Sequence, residues 1–515
     1  MTWVIDHSLT VLILLPVAGA LLCAAVPSRH GSVAKWIAVA ITVLELGLCV
    51  IMTVRFESTS DFQFVQQVPW IPEWAINYSV GVDGISLLLI LLTTFLGPVT
   101  VLCSWDCITR GVKGFMVSLL ITEGALVGVF SSINLFLFYI FWEAVLIPMT
   151  LIIGVWGTDR RIYSAVKFIL FTMLGSLLML VGIIYLYTLT TSQFGSPTLD
   201  YETLQDLVIS RKVQTLLFLA FALSFAIKVP LFPFHTWLPD AHSDAPTAGS
   251  IILAGILLKM GAYGLVRFCV PLFPLAIPPL VPVIIFLSVF GIIYGALMAM
   301  IQPDIKRLVA FSSVSHLGFV VLGIFSLTSK SISGGIIQMV NHGLSTGALF
   351  LLVGMLYDRR HTRMIQDFGG LAKVIPAYSA LFIVVALASL GLPGLNGFVG
   401  EFLILLGSFP VHPVAVVLAT LGVVLAAVYL LWLVERVFFG PVTREENAKL
   451  VDLVPREWAA VIPLVLAIVW LGVYPKPFLE KIEPSVDRLV RQVEMAVDRS
   501  GENDPVWTMT VPGGD

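Results

Sequence analysis

Six ionisable residues lie deep inside long apolar runs of this sequence. They are four acids and two lysines: Glu45, Glu123, Glu143, Glu401, Lys228 and Lys259. A charge at the centre of a membrane-spanning helix costs about 2.5–3.5 kcal/mol on insertion scales, so such residues usually pair inside a bundle or line an ion path. One Lys–Glu pair at about 4 Å recovers about 4 kcal/mol at an effective dielectric near 20. Because these two energies nearly balance, a small change around such a pair can move a proton.

The alternative role for these residues is a static ion pair that only fixes helix packing. A series of sites along one bundle favours proton transfer over packing alone. The series that we predict has four members: Glu143, Lys228, Lys259 and Glu401. Glu123 is either a further acidic partner or an interhelical hydrogen bonder, and the sequence leaves both open. Glu45 lies in an early span, where a structural role is expected.

Two of the charges lie beside sequences that interrupt a helix. Lys228 lies in AIKVPLFPFHTWLPDAH, where Pro230 removes a backbone donor and biases the residue before it away from the helical region. Glu401 follows LPGLNGFVG, which contains Pro393 and Gly394. Irregular backbone survives at membrane depth only where protein buries it or water reaches it. Both interruptions therefore predict a small hydrated cavity beside a charge.

Two histidines, His316 and His342, lie between Lys259 and the second interruption in chain order. Neutral imidazole can relay a proton, because one ring nitrogen donates while the other accepts. We therefore predict that both take part in the path. His235 and His242 flank a predicted loop, where we favour a structural tie over proton uptake. No helical HxxxH pair is present, and no carboxylate–histidine cluster has ligand spacing, so the sequence predicts no metal site.

The composition excludes most other classes of protein. Of the 515 residues, 58% are hydrophobic and 12% are charged, whereas soluble domains carry about 25% charged residues. At about 20 apolar residues per span, the chain accommodates about fourteen transmembrane helices. Unbroken apolar runs such as 413–433 argue against a transmembrane barrel. The net charge of −3 gives no sign of a nucleic-acid partner. The five cysteines form no CxxC pair, and Cys103 and Cys107 are expected to be buried thiols.

The spans follow the apolar runs. We predict them at 8–26, 33–54, 84–104, 112–130, 132–153, 163–190, 213–234, 246–268, 278–300, 306–326, 332–357, 374–408, 413–438 and 458–475. No basic region precedes the first run and no A-x-A-like site follows it, so we expect a retained span rather than a signal peptide. Residues 55–83 predict a short hairpin, and 476–515 predict an amphipathic helix on the membrane surface or against a neighbour.

The order of the spans predicts an internal repeat. Spans 4–8 and 9–13 each contain five helices with an interruption in the fourth, and an odd number of spans inverts the second unit. The fold class is therefore an all-α polytopic membrane protein with two inverted five-helix repeats and broken helices 7 and 12. The domains are predicted at 1–111 (helices 1–3), 112–270 (first repeat), 271–440 (second repeat) and 441–515 (helix 14 and the tail).

Loop charges predict the orientation. Loops after odd-numbered spans hold 17 Lys and Arg residues, and those after even-numbered spans hold five. Positive loops stay in the cytoplasm. We therefore expect a bacterial inner membrane protein with both termini on the periplasmic side.

Three stretches of sequence resemble one known family. They are FYIFWEAVLIPMTLIIGVWG around Glu143, KVPLFPFHTWLPDAHSDAPTAGSIILAGILLKMGAYGLVR around both lysines, and LPGLNGFVGEF around Glu401. They resemble the antiporter-like, proton-translocating membrane subunits of respiratory complex I, and the match covers most of spans 4–13. The acid at Glu401, where related types carry lysine, and the short sequence after span 14 resemble the type called subunit M or chain 4.

The resemblance implies a function and a set of site residues. The family moves protons across the membrane and is driven by quinone reduction elsewhere in the complex. By resemblance, Glu143 and Lys228 form a coupling pair, Lys259 is the central carrier, Glu401 is the terminal group, and His316 and His342 lie on the axis between them.

The resemblance also implies partners and cofactors. The expected partners are other membrane subunits of complex I, including neighbouring antiporter-like subunits, and the lipid bilayer. NADH, FMN, iron–sulfur clusters and quinone would bind other subunits. None is expected on this chain, where no GxGxxG follows a predicted strand.

Three alternatives remain open from the sequence. The chain could belong to a multi-subunit cation/proton antiporter, which shares the broken helices and lysines. It could belong to an ion-pumping membrane-bound hydrogenase, or it could be a structural spacer between other pumps. Sodium-dependent proton flux without NADH would favour the first, a neighbouring gene for a nickel-site subunit the second, and full activity without Glu143 and Lys228 the third.

Overall fold

The computed structural model describes residues 7–499, and it confirms an all-α membrane architecture. In this part of the chain, twelve helices are long and apolar enough to cross a membrane. The other two predicted spans, 213–234 and 374–408, coincide with helices that are interrupted. We label the helices α1 (Ser8–Ala25), α2 (Ser28–Arg55), α3 (Gly84–Cys103), α4 (Val112–Ser131), α5 (Leu135–Trp156), α6 (Arg161–Phe194), the interrupted α7 (Arg211–Lys228 and Leu238–Asp244), α8 (Thr247–Leu272), α9 (Pro274–Met300), α10 (Ile305–Phe325), α11 (Ser329–Arg360), the interrupted α12 (Pro376–Ser389 and Asn396–Ser408), α13 (Pro413–Phe438), α14 (Pro455–Val473) and α15 (Lys476–Arg499).

The predicted hairpin between α2 and α3 is confirmed. Strands β1 (Gln63–Ile71) and β2 (Ile76–Val82) pair antiparallel. The carboxylate of Asp200, beside the short helix Tyr201–Gln205, accepts hydrogen bonds from Asn77, Ser79 and Asn134. Asn134 also caps α5 by accepting from two backbone amides. The hairpin is thereby tied to the junction of α4 and α5. A second short helix, Glu445–Ala448, precedes α14.

The break in α7 begins at Lys228, where the prolines leave no continuous ladder of backbone hydrogen bonds. Trp237 closes it, because its indole Nε1 donates to the carbonyl oxygen of Ile227 at 2.8 Å. The break in α12 spans 390–395, where Gly391 and Gly394 adopt φ values of +81° and +91° that favour glycine. Glu401 lies in the helix that follows the second break.

Three helices form the centre of the molecule. The membrane-spanning parts of α8, α10 and α11 are entirely buried by the rest of the chain. Helix α8 carries two π-helical segments, Leu253–Leu257 and Leu265–Cys269, one on either side of Lys259. Such bulges change the direction of the following side chains and often occur at functional sites. No feature of the sequence predicts these segments.

The interrupted helices occupy matching places in the order of elements. α7 is fourth in the group α4–α8, and α12 is fourth in the group α9–α13. We call the side that carries the loops after odd-numbered helices the odd-loop side. The domain boundaries at 111, 270 and 440 remain a prediction.

The tail forms the predicted amphipathic helix, α15. Val486, Leu489 and Val493 are buried on one of its faces, which packs against α3 and α11 of the same chain. The rest of the predicted segment, from residue 500 onward, lies outside the described residues. The expectation that Cys103 and Cys107 are both buried thiols is wrong, because Cys107 is exposed in the loop after α3. Its Sγ donates to Asp358 Oδ2 at 2.8 Å.

Candidate functional site

Lys259 lies at the centre of the bundle with no exposed surface. Its Nζ is 2.7 Å from Nδ1 of His342 on α11. It also donates to the carbonyl oxygen of Ala254, which lies in the first π-helical segment of α8. A carbonyl oxygen has two lone pairs, so the Ala254 oxygen can accept from the ammonium group. The predicted central carrier is thus held between a histidine and the backbone of its own helix.

A second cluster surrounds Glu401 on α12. His316 Nδ1 on α10 lies 2.7 Å from Glu401 Oε1, and the Gln338 amide on α11 donates to the same oxygen at 3.1 Å. Both His316 and Glu401 are buried, with 5% of each side chain exposed. The hydroxyl of Tyr429 on α13 lies 3.5 Å from His316 Nε2. Four different helices therefore contribute to this cluster.

The two clusters adjoin. The rings of His316 and His342 have centroids 5.8 Å apart. His342 Nε2 is buried and has no hydrogen-bond partner among residues 7–499. The four residues Lys259, His342, His316 and Glu401 therefore form one polar line through the buried core, with a single gap between the two imidazoles. The structure brings together the residues that the sequence placed in the second half of the path.

The first half of the predicted path is arranged differently. Lys228 is buried at the end of the first segment of α7, and its Nζ lies 5.3 Å from the ring centroid of Trp142 and 5.4 Å from that of Phe168. Glu143 is the next residue after Trp142 on α5. In the described part of the chain, Glu143 Oε1 is buried without a hydrogen-bond partner. Aromatic faces, rather than a direct ion pair, therefore hold the ammonium group of Lys228.

Glu123 meets another acid rather than a lysine. Its carboxyl group on α4 interacts electrostatically with the carboxyl group of Glu45 on α2, and both side chains are buried; Oε1 and Oε2 of Glu45 and Oε1 of Glu123 have no hydrogen-bond partner among residues 7–499. An ionised carboxylate has no donor, so this contact is attractive only if one of the two acids carries a proton. Both predicted roles of Glu123, a further acidic partner and an interhelical hydrogen bonder, therefore stay predictions.

The loop histidines stack on aromatic rings, whereas Trp237 and Asp240 make the polar ties beside them. Trp237 closes the α7 break, and Asp240 forms ion pairs with Lys167 at 2.7 Å and Arg307 at 3.2 Å. His235 stacks on Phe232, and His242 stacks on Phe350 with a 4.8 Å centroid separation. Both ring nitrogens of His242 are buried without a hydrogen-bond partner among the described residues.

Several polar residues of the site were not predicted. Gln338 contacts Glu401, and Asn341 exchanges hydrogen bonds with Asn396, the first residue of the second α12 segment, at 2.7 and 3.0 Å. A signal for them was available, because Gln338, Asn341, His342 and Ser345 recur every three or four residues along α11 and so share one face. Among residues 7–499, no group of three or more His, Cys, Asp or Glu side chains is arranged to hold a metal ion.

Comparisons with known proteins identify relatives of the whole chain. Residues 132–426 match the family described as NADH:quinone oxidoreductase/Mrp antiporter, TM. The chain is 45% identical over 498 residues to NADH-quinone oxidoreductase subunit M of Rhodobacter capsulatus, covering 94% of this chain and 97% of that protein. It is 43% identical to NADH-ubiquinone oxidoreductase chain 4 of Marchantia polymorpha, covering 94% and 97%.

A solved structure extends the similarity to three dimensions. A chain of respiratory complex I from Thermus thermophilus with bound NADH superimposes with a TM-score of 0.87 and 33% identity, covering 94% of this chain and 99% of that one.

Proposed function

The chain belongs to the NADH:quinone oxidoreductase/Mrp antiporter transmembrane family, and we propose that it is the proton-translocating membrane-arm subunit, of the subunit M or chain 4 type, of an NADH–quinone oxidoreductase. Identity of 45% with a subunit M over nearly the whole length supports the type. The observation that carries the proposed activity is the buried polar line from Lys259 to Glu401. Burying four ionisable groups in a row is costly and adds nothing to apolar packing, so such a line indicates a proton path.

In the second half of the path, a proton moves from the ammonium of Lys259 to His342 across their 2.7 Å contact. Loss of the other ring proton from His342 Nε2 carries the charge toward His316, with a water molecule or a ring rotation bridging the 5.8 Å between the centroids. His316 then protonates Glu401 across 2.7 Å. After these steps Lys259 is a neutral amine, both imidazoles are neutral again and the Glu401 carboxylate carries the proton, so protons and charge are conserved.

In the first half, Glu143 and Lys228 form the coupling pair. Movement of Glu143 toward Lys228 favours the charged amine, and its withdrawal favours release of the proton toward Lys259. Moving one charge against about 100 mV costs about 2.3 kcal/mol. Quinone reduction on other subunits of the complex supplies that energy, and NADH, FMN and the iron–sulfur clusters act there as well.

The membrane that we propose is the bacterial inner membrane, with both termini on the periplasmic side. The loops on the odd-loop side carry more Lys and Arg residues than those on the other side. This excess supports the orientation, since positive loops remain in the cytoplasm. The apolar outer faces of α2, α13 and α14 would contact lipid or the neighbouring membrane subunits.

The test uses the assembled complex in proteoliposomes, with NADH oxidation and proton uptake measured together. The double variant Glu143→Ala/Lys228→Ala should assemble and lose most NADH-driven proton translocation. Full translocation by that variant would make the chain a structural spacer. Sodium-driven proton flux through the isolated chain without NADH would instead support the antiporter alternative.

A further inference from the structure

A large cavity opens on the odd-loop side, between the loops of the two repeats. It has a volume of about 660 Å³, and its lining includes Thr247, Lys306, Asp358 and Arg363. The loops that follow α3, α5, α7, α11 and α13 all contribute to its wall. The lining includes the charged side chains of Lys306, Asp358 and Arg363, so water can enter the cavity.

Lys306 lies where this cavity meets the buried core. It is the second residue of α10 and is 6% exposed. Its Nζ donates to the carbonyl oxygens of Ala245 at 2.5 Å and Ser243 at 3.5 Å, at the end of the second α7 segment. Four other charges surround it: Asp304, which caps α10, Arg363, which pairs with Asp304 at 3.2 Å and also donates to Ser243, and the carboxylates of Asp244 and Asp358.

His242 lies immediately inward of these carbonyls. It precedes Ser243 in the same α7 segment, and the charges acting on its ring are those of Lys306 and Lys259. Its two ring nitrogens are the buried polar atoms that we noted above as lacking partners in the described chain. Unsatisfied buried polar atoms in a native fold call for a reason, and one such reason is a transient partner such as water.

We propose that Lys306 is the inner gate of the path: it takes protons from water in the cavity and passes them through His242 to Lys259. This inference rests on the proposed proton translocation and adds to it the place where protons arrive. In each cycle the Lys306 ammonium gives one proton to an imidazole nitrogen of His242. Cavity water protonates the resulting amine, and His242 releases a proton to the neutral amine of Lys259.

A purely structural role is the competing explanation for Lys306. Cations at a helix C-terminus stabilise it by bonding the last carbonyls, and Lys306 does this for the second α7 segment. Arginine separates the two roles. Its guanidinium can bond the same carbonyls, but it does not lose its proton in proteins, so it can cap the helix without carrying protons.

The experiment compares Lys306→Arg with Lys306→Met in the assembled complex, using Lys259→Met as the reference for a blocked path. Lys373→Arg, at an exposed lysine on the same side, is the matched control. We expect Lys306→Arg to assemble normally and to lose at least about tenfold in NADH-driven proton translocation, as Lys306→Met does, while Lys373→Arg pumps normally. If Lys306→Arg pumps like the wild type while Lys259→Met does not, the gate is refuted and the proposed function stands. If Lys259→Met itself pumps normally, the proposed function fails.

A second measurement needs no change at Lys306. Cys107 also lines the cavity and is exposed. A bulky, membrane-impermeant maleimide on this thiol should narrow the cavity and slow proton translocation several-fold, and the Cys107→Ser complex should be unaffected by the reagent. Complete labelling of Cys107 without any slowing would exclude the cavity as the proton entrance.

Discussion

The two halves of the bundle hold their buried charges in different ways. In the second half, Lys259 and Glu401 each contact a histidine at 2.7 Å, and the two histidines adjoin. In the first half, Lys228 lies over aromatic rings, and Glu143 has an oxygen without a partner in the described structure. A path that is nearly continuous in one conformation needs little motion, whereas a separated pair must rearrange to exchange charge. The difference therefore assigns gating to the first half and conduction to the second.

The packing of the helices accounts for the difference. α10 and α11 are buried along their whole membrane-spanning parts, and α11 carries a stripe of polar residues that faces the site. α5 is only half buried, and beside its acid it contributes the ring of Trp142. An unpartnered polar group in an enclosed region costs about 1–3 kcal/mol, so the contacts that Lys259 and Glu401 make with the two histidines stabilise this region.

The largest effect is expected at the start of the continuous line. Lys259→Met removes both the group that contacts His342 and the only amine on α8 between the π-helical segments. NADH-driven proton translocation should fall at least about tenfold, since positioned proton carriers contribute about 10²–10⁴-fold to rates. The measurement is proton uptake by proteoliposomes that contain the assembled complex. Lys330→Met, at an exposed lysine at the start of α11, is the control and should pump normally.

A smaller effect separates the two halves directly. Shortening each acid by one methylene, in Glu401→Asp and Glu143→Asp, keeps the charge and moves the carboxylate back. Glu401→Asp should lose the contact with His316. A hydrogen bond to a charged group contributes about 1.5–3 kcal/mol, so proton pumping should fall about tenfold or more. Glu143→Asp has no direct contact to lose and should stay within about twofold of the wild type. Equal losses of pumping in both variants would contradict the assignment of gating to the first half of the path and conduction to the second.

Much of the site could be predicted because burial of a charge is visible in sequence. Glu143, Lys228, Lys259 and Glu401 stand out against apolar neighbours, and prolines and glycines mark both broken helices. The resemblance to complex I subunits then supplied the type, which the relatives confirm. Unbroken apolar runs predicted the all-α fold, and alternating residues beside prolines predicted the hairpin; the structure confirms both.

The features of the site that were not predicted depend on which helices pack against each other. That packing cannot be read from a single sequence. The contact of Glu45 with Glu123 joins residues of separate helices that share no motif. The π-helical segments of α8, Leu253–Leu257 and Leu265–Cys269, carry no residue pattern that marks them in the sequence. The burial of Cys107 was predicted wrongly because this residue lies beside an apolar run in the sequence. In the folded chain it lines the cavity instead.

The two interruptions of the helices offer a comparison of stability. Trp237→Phe keeps most of the apolar volume at the α7 break but removes the donor to the Ile227 carbonyl. We expect a loss of about 1–3 kcal/mol in local stability, because that carbonyl is left unpaired in a buried place. Amide hydrogen exchange of residues 229–237 in the assembled complex should accelerate about five- to hundredfold. Trp470→Phe, at an exposed tryptophan of α14, serves as the control.

The smallest effect is expected at the α12 break. Asn396→Ala removes the donor to the Asn341 carbonyl, but that oxygen still accepts from the Ser345 hydroxyl at 2.9 Å, so the loss should be only about 0.5–1.5 kcal/mol. Exchange of the amides in Asn396–Ser408 should accelerate about two- to tenfold, and Glu401 should keep its contact with His316. Asn341→Ala combined with Asn396→Ala should cost less than the sum of the single changes, because the two side chains serve one reciprocal link. If the free-energy costs of the two substitutions were strictly additive, each asparagine would hold the second α12 segment independently of the other. Helix α12 would then be less rigidly bound to α11 than proton conduction between them requires.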